Sequence, residues 1–225
     1  MHHGPARIVL VTGASKGVGA DVARHLANPD THVVVHYRDD VTPANAVAEA
    51  IRNAGGQAST MAADISDEAG AAAMMDSVSA RFGRLDALVL HASGGLAPGA
   101  DPHDAVRRNR EAQRRLVQLA VPLMPVGGRI VFVTTHQAHF FPNKAVPKGC
   151  AGIAASQRAG ETALYRMRST LAHAGVHLTV VSGDMIDGDP LRGVDAFAEA
   201  IVGATSAPNP PSIVYAGRAE YLQTA

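Results

Sequence analysis

The stretch Leu10–Gly19, LVTGASKGVG, places Gly13, Gly17 and Gly19 directly after an apolar run with β-branched residues. The run predicts a buried strand, and the glycines predict a turn that leads into a helix. Glycine lets a backbone approach a large anionic group, and the free N–H groups of a helix N-terminus favour a phosphate. The spacing is Gly-x-x-x-Gly-x-Gly, not Gly-x-Gly-x-x-Gly, so a purely structural turn is the alternative interpretation.

Outward from this turn, apolar runs with β-branched residues recur along the whole chain. They lie at 7–12, 32–37, 57–65, 85–92, 128–135, 176–183 and 212–217. Helix-length segments rich in Ala, Arg and Glu separate them, which predicts right-handed βαβ units and a parallel sheet. We therefore expect an α/β protein with one doubly wound (Rossmann) domain over 1–225. Its seven-stranded parallel sheet should carry helices on both faces.

Composition narrows the function classes. The chain has 225 residues, and 47% of them are hydrophobic, which argues against a disordered protein. Its formal net charge is +0, so the charge gives no indication of a polyanionic partner. Its basic run, Arg107–Arg115, has no interleaved aromatic residue, so we interpret it as a solvated helix face and expect no nucleic-acid binding. Apolar runs shorter than about 18 residues predict no membrane span, and Cys150 is the single cysteine. We expect a cytoplasmic protein.

The segment Thr12–Gly19, TGASKGVG, resembles the cofactor motif of the short-chain dehydrogenase/reductase family, and the resemblance runs through most of the chain. Asp64 and Ile65 match the Asp-Val pair that the family places beside the adenine. The family's Asn-Asn-Ala-Gly loop after the fourth strand is matched in altered form by Leu90–Ser93, LHAS. The resemblance therefore implies the same doubly wound fold and a nicotinamide cofactor.

The cofactor residues that follow from the turn and the resemblance lie at the ends of four strands. They are Gly13, Ser15, Lys16, Gly17, Val18, Gly19, Tyr37, Arg38, Asp64, Ile65, His91, Ala92 and Ser93. Tyr37 stands where relatives that prefer NAD usually carry Asp. Lys16 and Arg38 are two cations that favour a 2′-phosphate, so NADP(H) is expected over NAD(H). Asp39 and Asp40 would weaken that positive field. The alternative interpretation is that Lys16 and Arg38 are simply exposed to solvent and bind no phosphate.

The resemblance also implies a catalytic set, from which this chain departs. Members usually use a tyrosine as proton donor, a lysine four residues later and a serine after the fifth strand. Counting back from Gly175, which ends the helix after that strand, places Ile153 at the tyrosine and Gln157 at the lysine. Thr135 replaces the serine, and Asn109 matches the family's helical asparagine.

His136 and His139, in the segment after the fifth strand, are the candidates for the missing proton donor, since histidine titrates near neutral pH. The alternatives are a surface loop that only displays both histidines, or a metal site that they form with Asp184; no metal is expected. Cys150 as a nucleophile is a further, weaker alternative.

The sequence thus favours an NADP(H)-dependent ketoreductase of a small organic substrate, with Thr135, Asn109, His136 and His139 as its catalytic residues. One alternative is a non-redox relative, such as a cyclase, dehydratase or isomerase, with one of the histidines as base. Another is a cofactor-binding regulatory protein. Relatives commonly pair through the helices aligned with 154–173 and 193–204, so a homodimer or homotetramer is expected.

Overall fold

The computed structural model describes residues 6–91, 101–146, 149–184 and 194–217. Within them, the strands are β1 (Arg7–Val11), β2 (Thr31–Tyr37), β3 (Gln57–Ala62), β4 (Ala87–Leu90), β5 (Arg129–Thr135), β6 (His177–Gly183) and β7 (Ile213–Ala216). The α-helices are α1 (Gly17–His25), α2 (Val41–Asn53), α3 (Glu68–Phe82), α4 (Pro102–Ala120), α5 (His136–His139), α6 (Ala151–Tyr165), α7 (Arg168–His173) and α8 (Val194–Ala204). A 3-10 helix, Val121–Leu123, follows α4.

All these strands form one parallel sheet in the order β3-β2-β1-β4-β5-β6-β7. The strand order reverses between β1 and β4, where open α/β sheets bind ligands at the carboxyl ends of their strands. The predicted fold class is confirmed. Two strands end earlier than expected, since β3 stops at Ala62 and β4 at Leu90.

Helices cover both faces of the sheet, because alternate residues of each strand point to opposite sides. In β1, Val9 and Val11 belong to the core under α1, α2 and α8, whereas Ile8 and Leu10 belong to the core under α3, α4 and α6. All four side chains are buried to within 2% exposure. Burial on both faces explains why the strands read as nearly continuous apolar runs.

The helix N-termini at the carboxyl edge of the sheet differ in their caps. Asp40, Asp67 and Asp101 each accept a backbone N–H of the helix that they precede. Lys16, the residue before α1, makes no side-chain hydrogen bond to its helix. The N-terminus of α1 therefore keeps its positive end directed at the switch point without a side-chain cap.

The helix expected to run as far as Gly175 is interrupted, which corrects the prediction of one continuous helix. α6 ends at Tyr165 and α7 begins at Arg168. The Met167 N–H donates to Leu164 O, an i−3 contact that tightens the chain and breaks the α-helical ladder for one turn. Gly175 lies in the connection between α7 and β6 and has a φ of 68°.

Candidate active site

The glycine turn, residues 12–19, connects β1 to α1 as predicted. Gly13 and Gly17 have φ of 66° and 57°, in the left-handed region that glycine adopts without a steric cost. A Cβ on Gly19 would lie 2.5 Å from Gly13 O and 2.8 Å from His91 Nδ1. Each of the glycines is therefore needed for the shape of the turn, and Gly19 has no room for a side chain.

A cleft of about 430 Å³ opens beside this turn. The residues of the predicted cofactor site that line it are Gly13, Ser15, Lys16, Tyr37, Arg38, Asp64, Ile65 and His91. Val18 instead packs against the core beneath α1. Ala92 and Ser93 lie outside the described residues. The structure thus brings together side chains that are separated by up to 78 positions in the sequence.

The charges at the mouth of the cleft are partly paired. Arg38 Nε lies 2.7 Å from Asp39 Oδ2, and the two side chains are 57% and 73% exposed. The hydrogen bond to Asp39 holds the pKa of Arg38 above its usual value. A hydrogen bond from the Ser66 hydroxyl holds the pKa of the Asp64 carboxyl below its usual range. Lys16 is exposed at the same mouth, so the cleft presents two cations, Lys16 and Arg38, and three carboxylates, those of Asp39, Asp40 and Asp64.

Thr12 ties β1 to β4 at the switch point, a role that the sequence analysis did not assign. Its hydroxyl donates to Val89 O at 3.2 Å and accepts the His91 N–H at 3.0 Å. The His91 ring lies against the glycine turn, and burial lowers its pKa. His91 is therefore a neutral side chain that forms the wall between the glycine turn and the end of β4.

Thr135 ends β5, as predicted. Its hydroxyl accepts the Ala138 N–H at 3.2 Å, which caps α5, and donates to Gln157 Oε1 at 3.4 Å. Gln157, on α6, is thus the nearest polar side chain to the threonine hydroxyl among the hydrogen bonds that the structure shows. The sequence analysis placed Gln157 at the family's lysine position but gave it no role.

Asn109 lies behind this pair and is buried in α4. Its Nδ2 donates to Ser156 O at 2.9 Å, so it holds α6 one residue before Gln157. A void of about 10 Å³ lies between His91, Asn109 and Gln157, together with Leu90, Gln113, Phe132 and Val133. His91 lines both this void and the cleft, so its side chain is a wall shared by the cleft and the void that Gln157 borders.

His136 is 1% exposed and points toward β6 and β7. Its Nδ1 lies 2.8 Å from the Ser182 hydroxyl, and its Nε2 lies 3.5 Å from Asp184 Oδ1. Burial lowers the pKa of His136, and the charge of Asp184 offsets part of that effect. Asp184 follows β6 at the carboxyl edge and is 36% exposed, so it connects the buried ring to that edge.

His139 is held in a different cluster. Its Nδ1 lies 2.8 Å from Glu161 Oε1, and its Nε2 lies 3.2 Å from the Tyr215 hydroxyl. Arg158 donates to the same oxygen of Glu161, whose side chain is fully buried. The interpretation of both histidines as surface-loop residues is wrong, because α5 buries them against β6, β7 and α6.

The two histidines do not converge on one site. His136 and His139 bond to different partners, and no cluster of three His, Cys, Asp or Glu side chains suited to a metal occurs within the described ranges. Ile153 lies near the start of α6 with 47% of its surface exposed. Tyr165, whose ring lies 4.3 Å from the Arg168 guanidinium, is partly buried against the core under α3, α4 and α6.

The basic run of α4 is a solvated helix face, as interpreted from the sequence. Its arginines pair with Asp104, Glu111 and Glu68. Over the parts of the chain that the structure describes, no helix is both long and apolar enough to cross a bilayer.

Comparison with known families identifies the family to which this fold belongs. Residues 7–196 match the model of the family described as short chain dehydrogenase. The chain belongs to the short chain dehydrogenase family. This assignment agrees with the seven-stranded sheet and with the glycine turn at the switch point.

Two curated relatives of this short chain dehydrogenase are named reductases. A protein of Zymoseptoria tritici named probable tetrahydroxynaphthalene reductase is 36% identical over 65% of this chain and 58% of its own length. The 1-cyclohexenylcarbonyl-CoA reductase of Streptomyces collinus is 32% identical over 83% of this chain and 67% of its own length. The chain thus aligns with about three fifths to two thirds of these relatives.

A solved structure gives a closer match in extent. A metagenomic short-chain oxidoreductase in complex with NADP superposes with a TM-score of 0.77 at 27% identity. The match covers 95% of this chain and 98% of the other. The fold of this chain therefore matches that of the solved family member over nearly its whole length.

The buried carboxylate of this short chain dehydrogenase provides a test of its core. Glu161→Gln is expected to lower the free energy of unfolding by about 1–3 kcal/mol, because the amide accepts weaker bonds from His139 and Arg158 and brings a buried N–H₂ group. Urea denaturation measures the change. Glu199→Gln, at an exposed position of α8, is the matched control and should stay within about 0.5 kcal/mol of wild type. Equal stability of the two variants would contradict the assigned contacts.

Proposed function

We propose that this short chain dehydrogenase is an NADP(H)-dependent reductase that acts on a carbonyl group of a small organic substrate. The observation that carries the proposal is the position of His91, which lines both the cleft beside the glycine turn and the void bounded by Asn109 and Gln157. The residues of the cleft would hold the dinucleotide, and Thr135 ends β5 at the same carboxyl edge of the sheet. The names of the two relatives support reduction as the chemistry.

The residues of the cleft fit a nicotinamide dinucleotide. A Cβ on Gly19 would lie 2.5 Å from Gly13 O, so glycine at this position permits the tight turn that lines the cleft. The N-terminus of α1 has no side-chain cap, which suits a pyrophosphate. Asp64 and Ile65 would lie against the adenine. When bound, the nicotinamide would supply a hydride for the carbonyl carbon.

The preference for the 2′-phosphate rests on Lys16 and Arg38 at the mouth of the cleft. The two cations favour a phosphate over a free ribose hydroxyl, and so does the presence of Tyr37 where a carboxylate would bind that hydroxyl. The NADP in the solved relative agrees with this preference. Asp39 opposes it, because it already occupies the Arg38 guanidinium at 2.7 Å.

The cofactor preference predicts opposite effects of two neighbouring substitutions. Arg38→Ala should reduce the ratio of NADPH to NADH affinity by about tenfold, the effect of one charge-assisted hydrogen bond. Asp39→Asn should raise that ratio, since it releases Arg38 for the phosphate. Fluorescence titration of both cofactors onto wild type and each variant measures the ratio. Equal affinities in wild type, or an unchanged ratio in both variants, would contradict the preference.

The chemistry of the proposed reductase differs from the family's usual pattern. Ile153 cannot donate a proton, and Gln157 carries no charge to lower a neighbour's pKa. Thr135 and Gln157 instead present a hydroxyl and an amide that are already hydrogen-bonded to each other. We propose that these two groups hold the substrate oxygen, while Asn109 fixes α6 behind them.

The proton is proposed to arrive through His136 and Asp184. Of the two candidate histidines, His136 has a partner at the carboxyl edge, whereas both ring nitrogens of His139 face Glu161 and Tyr215. The proton balances the hydride, so that the carbonyl becomes an alcohol. His139 then serves to hold α5 against α6.

This assignment predicts an acidic pH profile. An acid works in its protonated form, and burial lowers the pKa of His136 below 6.5, so the reduction rate should fall as pH rises through that lowered value. His136→Asn keeps a polar atom near the Nδ1 position but should flatten the profile. His139→Ala should keep the profile of wild type. If His136→Asn retains the wild-type rate and profile, the proton comes from water or from the substrate.

A non-redox function is the second candidate, and the exposed Ile153 in place of a tyrosine favours it. In that case the dinucleotide would be bound for structure, and the His136–Asp184 pair would act as a base. Retention of bound NADPH without any oxidation by carbonyl compounds would distinguish this function from the reductase.

A further inference from the structure

His36 is one of two buried histidines of β2, and no role follows for it from the sequence alone. It lies in β2, one residue before Tyr37, and is 2% exposed. Its Nδ1 accepts the Gly13 N–H at 3.0 Å, and its Nε2 lies 3.0 Å from Ala63 O. One imidazole thereby connects the glycine turn to the segment that leads into Asp64.

The two contacts determine the state of the ring. A backbone N–H can only donate, so Nδ1 is the acceptor and carries no proton. Nε2 then carries the proton of the neutral ring and donates it to Ala63 O. Burial lowers the pKa of His36, which agrees with a neutral imidazole. A protonated ring would lose its acceptor and leave Gly13 without this partner.

The His36 ring bonds to Gly13, a residue that has no side chain to restrict its own backbone. Gly13 has φ of 66°, and its carbonyl oxygen is the atom that a Cβ of Gly19 would approach most closely, at 2.5 Å. Ala14 N also donates to the His36 backbone oxygen at 2.9 Å. The side chain and the backbone of one residue therefore fix two successive N–H groups of the turn.

We infer that His36 is a positioning residue of the dinucleotide site. It sets the glycine turn and the Asp64 segment at a fixed separation across the cleft, and so determines how tightly the cleft holds a nicotinamide dinucleotide. The identity of the ligand rests on the proposed function. The connection itself rests on the two hydrogen bonds of a residue that lines the cleft.

Two amide substitutions separate the two bonds. In His36→Asn, the side-chain oxygen can occupy the position of Nδ1 and accept the Gly13 N–H. In His36→Gln, the longer amide can reach Ala63 O as Nε2 does, but the acceptor for Gly13 is lost. His32→Asn is the matched control, because His32 is a buried histidine of the same strand whose Nε2 bonds to Ser59, outside the cleft.

The experiment has one readout that needs no cofactor and one that does. Amide hydrogen exchange of Gly13, followed by NMR in the free protein, reports the bond directly. Titration with NADPH reports the affinity. His36→Gln should exchange faster at Gly13 and bind NADPH about tenfold more weakly, a factor that corresponds to about 1.4 kcal/mol. His36→Asn should remain close to wild type in both, and His32→Asn should change neither.

Unchanged Gly13 exchange in His36→Gln would overturn the inference. So would an equal loss of affinity in His36→Gln and His36→Asn, since a general packing defect would then explain both. If wild type binds neither NADPH nor NADH, the proposed function fails, and the exchange rates alone decide whether His36 sets the turn. Faster exchange in His36→Gln with normal exchange in His36→Asn would still support it.

Discussion

Thr135→Val is expected to slow carbonyl reduction by about 10²-fold or more, with a small effect on NADPH affinity. Valine has nearly the shape of threonine but cannot donate a hydrogen bond to the oxygen on which negative charge develops. It also leaves Gln157 without its partner at 3.4 Å and Ala138 without its cap at 3.2 Å. Steady-state and single-turnover rates of NADPH oxidation with one ketone measure the effect.

The neighbouring residue supplies the control for that substitution. Thr134 is 2% exposed, and its hydroxyl makes no hydrogen bond within the described part of the chain. Thr134→Val therefore replaces a hydroxyl by a methyl group in the same strand without removing a catalytic donor. It should retain the wild-type rate. Thr135→Ser keeps the hydroxyl and should recover most activity. A Thr135→Val enzyme as fast as wild type would remove Thr135 from the catalytic set.

Gly19→Ala is the second substitution with a large expected effect. The new methyl group would lie 2.5 Å from Gly13 O, a backbone atom, and 2.8 Å from His91 Nδ1. The turn must shift to accommodate it, at a cost of about 1–3 kcal/mol. NADPH affinity should therefore fall between about tenfold and about a hundredfold. Isothermal titration calorimetry of the purified variant measures the loss.

Gly203→Ala is the matched control for Gly19→Ala. Gly203 lies in α8, and a Cβ built there meets nothing within 4 Å. Alanine in an exposed helix should stabilise the protein by about 0.5–1 kcal/mol and leave NADPH affinity unchanged. If Gly19→Ala binds NADPH as tightly as Gly203→Ala does, the glycine turn is not part of the dinucleotide site.

The fold was predictable because its signals are local and repeated. Each buried strand required an apolar run, and the glycine turn required residues that tolerate φ of 66° and 57°. The break between α6 and α7 was not predictable, since neither Arg166 nor Met167 is a helix breaker. The break depends on the hydrogen bond from Met167 N to Leu164 O, and no residue type in this segment indicates such a bond.

The elements that carry the candidate residues were predictable, but the contacts of those residues were not. Thr135 and Asn109 could be placed by their positions after β5 and in α4. The directions of His136 and His139 could not, because they depend on Ser182, Glu161 and Tyr215 from distant parts of the chain. His36 had one available signal, a polar residue near the carboxyl end of the strand, which is equally typical of a solvated strand end.

The most direct test of a reductase function follows an isotope through one turnover. Wild type is incubated with NADPH that carries deuterium at C4 of the nicotinamide, in either configuration, and with a panel of cyclic ketones and quinones. The account predicts loss of NADPH absorbance and recovery of deuterium at the new carbinol carbon of a ketone product. Thr135→Val should show the same transfer at a much lower rate. Tight NADPH binding with no oxidation and no deuterated product, across the whole panel, would contradict the account.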